Sequence, residues 1–150
     1  MTWTPFNSFL GRPVQCYFNG SSAPAPTSFY LILINGGTID ATSSLAAVLA
    51  QECTGYGYAR QQYLLPSASS YDSSQSRYEN PLVTLGFNAS GGAIQFDKAV
   101  LLGGAAATGS SGELICFQAQ SAPTTIPDGA SYSFQVAFNA GGATADVNAA

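Results

Sequence analysis

The sequence predicts an all-β domain, a β-sandwich or jelly roll with one short α-helix. Three observations predict it. Short apolar runs rich in β-branched and aromatic residues recur between turns built from Gly, Pro and Asn. Only the segment around Leu45 to Cys53 spaces its apolar residues as a helix does. No repeat of fixed period is present, which sets propellers and solenoids aside.

Residues 1–28 read as an N-terminal arm. Trp3, Phe6, Phe9, Tyr17 and Phe18 alternate there with turn signals at Pro5, Gly11, Pro13 and Asn19-Gly20. Val14 to Phe18 suits a short strand, and the Pro/Ala/Ser-rich stretch from Ser21 to Ser28 an extended one. The domain proper spans 29–140, with 141–150 a C-terminal tail. Phe29 to Ile34 is apolar at every position and predicts a strand buried on both faces, ended by Asn35-Gly36-Gly37. Asp40, Thr42 or Ser43 caps the helix that follows, and Gly55 sits where a C-terminal glycine cap belongs. Leu45, Val48, Leu49 and Glu52 or Cys53 mark its spacing, which predicts about three turns.

Strands are predicted over Tyr58 to Leu65, closed by Pro66, and over Pro81 to Asn88. Ser67 to Ser76 between them is a polar loop. Ala93 to Phe96, Ala99 to Leu102 and Glu113 to Gln120 are further strands. Ala122 to Asp128 reads as an edge or a connection, because Pro123 and Pro127 cannot donate to a central ladder. After the Asp128-Gly129 turn, Tyr132, Phe134, Val136 and Phe138 alternate with polar or small residues and predict a half-buried strand.

Composition limits function. The chain has 150 residues, enough for one domain with its own core. It has no histidine, 8% charged residues and a net charge of −4. Four basic residues cannot line a phosphate groove, so nucleic acid is not an expected partner, and neither is an anionic membrane surface. No run reaches the ~20 apolar residues that span a bilayer, and Met1 to Gly20 lacks the pattern of a signal peptide. So little charge leaves much of the surface neutral or covered by partners, which favours an assembled protein.

The residues for chemistry are sparse. The acidic residues Asp40, Glu52, Asp72, Glu79, Asp97, Glu113, Asp128 and Asp146, with Lys98, are scattered. General acid–base work needs such groups tuned as neighbours, and Ser110 and Ser111 have no histidine to serve as base. Cys16, Cys53 and Cys116 match no metal spacing and read as free buried thiols. No enzyme, cofactor or metal site is expected. Arg60 stands apart as one of three arginines: it either faces solvent or forms a bidentate pair with a carboxylate such as Glu52 or Glu79, locking the helix-to-strand corner or bridging subunits.

Glu52, Gly55, Gly57, Tyr58, Arg60 and Gln61 form an E-x-x-G-x-G-Y-x-R-Q pattern. It resembles a signature of small virion proteins of tailed bacteriophages. Over about residues 29–140, further parts of that family's pattern follow in the same order: Phe29 to Ile34 before the signature, then Lys98 to Leu102, Gly112 to Ile115, Thr125-Ile126 and Tyr132 to Phe138. The resemblance implies a non-enzymatic structural protein of a phage particle, assembled in the host cytoplasm. A capsid cement or decoration protein is expected first. Its partners would be the major capsid protein or other virion proteins, and its own copies as a dimer or trimer. Trp3, Phe6, Phe9, Tyr17, Phe18 and Arg60 are the expected interface residues, with the arm seated between capsid subunits. A tail or fibre component is the alternative. A carbohydrate-binding module using Tyr71 and Tyr78 is another.

Overall fold

The computed structural model describes residues 3–10, 28–64, 70–74, 77–137 and 139–141. The fold is all-β and sandwich-like with one short helix in the domain body, as the sequence predicts. Among the described residues ten strands follow in order: β1 (Thr4–Pro5), β2 (Phe29–Ile34), β3 (Gln61–Tyr63), β4 (Ser70–Asp72), β5 (Arg77–Glu79), β6 (Val83–Asn88), β7 (Ile94–Gly103), β8 (Glu113–Ile126), β9 (Ser131–Val136) and β10 (Asn139–Gly141). A helical turn, α1 (Asn7–Leu10), follows β1, and the helix α2 (Leu45–Leu49) follows β2.

The main sheet has the order β1-β8-β7-β2-β3, with every neighbouring pair antiparallel. It lies between two layers. On one face packs the two-stranded sheet β6-β9, and Leu85, Phe87, Phe134 and Val136 meet Phe29, Leu31, Leu33, Ala99 and Leu101 there. On the other face Val48 of α2, Phe6 and Ile39 meet Ile32, Ile34, Val100 and Leu102. Alternate residues of β2 therefore enter different cores, which is why this strand is apolar throughout. Phe96 of β7 stands 5.2 Å from Tyr132 of β9, an edge-to-face contact that ties the two sheets together, while Phe87 and Phe134 cross at 88° with centroids 6.0 Å apart within the smaller one. A third sheet, β10-β5-β4, completes the described strands.

Two predicted boundaries vanish in the main sheet. Ile94 to Phe96 and Ala99 to Leu102 are one strand, β7, with an irregularity between Phe96 and Lys98 where the predicted boundary falls. Glu113 to Gln120 and the predicted edge segment as far as Ile126 likewise merge into β8. Lys98 pairs with Ala119 and Phe96 with Thr124, so Gln120 to Pro123 bulge out opposite Asp97. Pro123 is tolerated because the bulge asks no ladder bond of it. A second bulge, where Leu101 pairs with Cys116 and Leu102 with Leu114, turns both Ile115 and Cys116 toward the β6-β9 side.

The helix is shorter than its spacing predicts. Ser44 caps it by accepting from the Ala47 N–H at 3.3 Å, while Asp40 instead accepts from Thr42 in the preceding turn. It stops at Leu49 because the chain is captured by β2: Asn35 N–H donates to Gln51 O at 3.0 Å and Cys53 N–H to Leu33 O at 2.9 Å. Strand β3 covers only Gln61–Tyr63, and Ser70–Asp72 inside the predicted polar loop pairs with β5. The start of the arm is no separate arm. Thr4 and Pro5 pair with Phe117 and Cys116, and Phe6 N–H donates to Ile115 O at 3.0 Å. The expected Val14–Phe18 strand, the Asn19-Gly20 turn and Pro66 lie outside the described residues.

Candidate functional site

The signature residues gather at one corner, where the chain leaves α2, turns, and enters β3. Arg60 holds Glu52 with a two-pronged grip: Nε donates to Oε1 at 2.7 Å and Nη2 to Oε2 at 2.6 Å. Both side chains are largely withdrawn from water, at 6% and 13% exposure. The same guanidinium reaches the loop between β7 and β8, donating from Nη1 to Ala106 O at 3.1 Å and from Nη2 to Gly109 O at 2.8 Å. Its planar fork matches a carboxylate and leaves further N–H groups for carbonyls, which a lysine cannot reproduce. The hydrogen bond to Glu52 raises the guanidinium above its already high range.

Tyr58 completes the corner. Its hydroxyl donates to Glu52 Oε1 at 3.0 Å and accepts from Leu33 N–H at 3.1 Å. Strand β3 pairs with β2 only at Phe29 to Leu31, so this hydroxyl takes over an edge N–H that the ladder has left behind. The ring stacks on Phe87 at 6.0 Å. Burial, then the Glu52 charge, holds the phenol well above its usual range, so Tyr58 stays neutral.

The glycines of the signature make the turn. Gly55, Tyr56 and Gly57 have φ of 77°, 51° and 76°, three successive left-handed residues. Only Tyr56 carries a side chain there, at a cost that the surroundings offset. Tyr56 O accepts from Ser90 N–H at 2.8 Å, and its ring lies over Gly92, where an added Cβ would stand 2.3 Å from Cδ1. Beside it Cys53 Sγ donates to Gln95 O at 3.2 Å. Burial first, then Glu52 and Asp97, pushes this thiol up to about 11. At the opposite margin of the same surface Lys98 Nζ donates to Asp97 Oδ2 at 2.8 Å and to Gly37 O at 3.0 Å, while Gly36 N–H donates to Asp97 Oδ1 at 3.2 Å.

Two shallow depressions flank the corner, one lined by Asn35, Gln51 and Gln95, the other by Thr54, Ala59 and Thr108. Every polar atom of Glu52 and Arg60 that faces them is directed at a protein partner, so the corner is built to hold together. Among the described residues no three His, Cys, Asp or Glu side chains gather as metal ligands, and no helix is long and apolar enough to cross a membrane.

The other expected interface residues fare differently. Trp3 is 3% exposed and Phe6 fully buried, both in this chain's own core. Phe6 packs on Phe117 with centroids 5.1 Å apart. Neither is available to a neighbour, because β1 draws them against β8. The Phe9 side chain, Tyr17 and Phe18 lie outside the described residues. Of the two carboxylates considered for Arg60, it is Glu52 that it meets, within the same chain. Sequence reasoning missed Tyr58 as a partner of Glu52. Its signal was the i, i+2 spacing to Arg60 in an extended segment, which sends both side chains to one side. No family model, curated protein or solved structure matches this chain.

Proposed function

We propose that this chain is a non-enzymatic structural protein of a bacteriophage particle, foremost a capsid cement or decoration protein that stabilises the shell through multivalent contacts. The observation that carries this reading is the use of the signature. Glu52, Gly55, Gly57, Tyr58 and Arg60, the residues of the resemblance, all serve to lock one corner of the fold. A pattern spent on rigidity suits a subunit whose task is to hold shape under load. The low charge, 8% of residues, suits a surface largely covered by neighbours. Trp3 and Phe6 support the domain itself, so the contact with the shell falls to exposed apolar side chains such as Leu64 and Leu82, at 67% and 47% exposure.

A glycan-binding role is the second reading, favoured by Tyr71, which is 56% exposed on β4. The Tyr78 side chain lies outside the described residues. Particles purified from cells that carry the gene decide between these readings. The chain is expected in many copies, spread over the shell when labelled with antibody and gold. Labelling confined to the tail makes it a tail component. Absence from purified particles overturns the reading.

A further inference from the structure

Strand β2 runs out into Asn35-Gly36, a dipeptide that carries a reaction of its own. Of the seven asparagines in the chain, only Asn19 and Asn35 precede glycine, and of these two Asn35 lies among the described residues. The side-chain carbonyl carbon of an asparagine is open to attack by the backbone nitrogen of the next residue. Glycine in that place hinders the attack least, because it has no Cβ and its backbone turns freely. Asn35 is exposed and lines the shallow depression beside the signature corner, so water reaches it.

The fold holds both ends of the Asn35 Cα–C bond, about which the chain must rotate for the ring to close. On one side the Asn35 N–H donates to Gln51 O at 3.0 Å. On the other the Gly36 N–H, the attacking group, donates to Asp97 Oδ1 at 3.2 Å. Asp97 is fixed in turn: Lys98 Nζ donates to its Oδ2 at 2.8 Å and to Gly37 O at 3.0 Å. Asp97, Lys98 and Gly37 thus close a ring of contacts around Gly36. A carboxylate is far too weak a base to take an amide proton outright, so Asp97 keeps that proton on the nitrogen and fixes the peptide plane. Gly37 has little slack, since a Cβ there would stand 2.9 Å from Cδ of Gln51.

We propose that Asn35-Gly36 is a self-modification site, kept closed by the Asp97–Lys98 pair in the folded chain and reactive when this corner opens. In the reaction the Gly36 nitrogen forms a bond to Asn35 Cγ, and the Cγ–Nδ2 bond breaks. The side-chain amide leaves as ammonia with the Gly36 proton. Water then opens the five-membered imide at either carbonyl and leaves aspartate or isoaspartate at position 35. Either product adds a negative charge to a chain of net charge −4, in the depression that Glu52 also lines. Isoaspartate also lengthens the main chain by one atom just past Ile34, the last residue of β2 to pair with β7. A chain that has opened and reacted therefore cannot close the same corner again. The modification is a one-way record of opening, and it holds whether or not the chain belongs to a phage particle.

Mass spectrometry of the full chain, with fragment ions locating the site, tests the proposal after incubation in mildly alkaline buffer. Conversion at Asn35 is expected to be at least about tenfold slower in the native chain than in guanidinium chloride, since reaction waits on local opening. Asp97→Ala is expected to raise the native rate toward the denatured one. Asp97→Asn loses the same charge but keeps an acceptor for the Gly36 N–H, and is expected to stay near the unaltered chain. Hydrogen exchange gives a reading that needs no variant: the Gly36 amide is expected to be protected in the native chain. Equal native and denatured rates overturn the proposal, as does an unprotected Gly36 amide. An Asp97→Ala chain with native circular dichroism and an unchanged rate overturns it too.

Discussion

Arg60 and Glu52, eight positions apart, meet through two parallel hydrogen bonds of 2.7 and 2.6 Å and join α2, the signature turn and the β7–β8 loop at one point. An ion pair this withdrawn from water adds little net stability compared with a well-packed apolar pair, but breaking it on one side strands a charge. Arg60→Ala is expected to lower the unfolding free energy by about 3–5 kcal/mol. Arg60→Lys keeps the charge but loses the fork and two carbonyl contacts, and falls between. The double variant Glu52→Gln/Arg60→Met is expected to recover part of the loss. Urea unfolding at neutral pH measures all three.

The Tyr56 ring occupies the space that a side chain at position 92 would need. Gly92→Ala is expected to cost about 1–3 kcal/mol, the usual range for forcing extra atoms into a packed site. Adding Tyr56→Ala removes the collision, so the double variant is expected to be less unstable than the sum of the single ones. A coupling near zero in that cycle would show that the ring does not rest there.

The N-terminal segment is a test of the fold before it is a test of assembly. Trp3→Ala and Phe6→Ala are each expected to destabilise by about 3–5 kcal/mol, as for large aromatic side chains removed from a core. Trp3 is the only tryptophan, and it is buried, so its fluorescence is expected to shift to the red as the domain unfolds. A variant without residues 1–6 that retains the native midpoint would separate β1 from the core.

High pH weakens the domain in a stated window. The Cys53 thiol titrates at about 11 when folded against an ordinary 9.0. Between these values the unfolded chain has lost a proton that the folded chain keeps. The stabilisation is therefore whole below pH 9.0 and declines as pH rises toward 11, by up to about 1.4 kcal/mol per pH unit. Tyr58, also raised, adds to the decline above its ordinary 10.0. Urea midpoints from neutral pH upward are expected to be flat and then to fall. Native Cys53 and Cys116 are expected to resist a thiol reagent that labels both after unfolding.

Much of the fold was legible because its signals are local. Phe29 to Ile34 announces a doubly covered strand by being apolar throughout, and Tyr132 to Val136 announces a half-covered one by alternating. The errors arose where distant residues decide. The spacing from Leu45 to Cys53 is helical, yet β2 recruits Gln51 to Cys53 by hydrogen bonds that only the folded chain offers. Pro123 argues for a break, and only the register opposite Asp97 reveals a bulge that accommodates it. Trp3 and Phe6 read as a free arm because nothing nearby in sequence shows that Cys116 and Phe117 await them. Chemistry left Arg60 either facing solvent or paired with a carboxylate, and the turn at Gly55 to Gly57 brings Glu52 to it.

Lys98 is the chain's single lysine, and its ammonium is bound to Asp97 and the carbonyl of Gly37. Arg60 is engaged as fully. A trypsin-like protease, which must take an extended basic residue into its own cleft, thus finds two of the four basic positions in this chain already occupied. At those two points the peptide bond becomes cleavable only when the domain opens, so digestion there reports unfolding and not surface access.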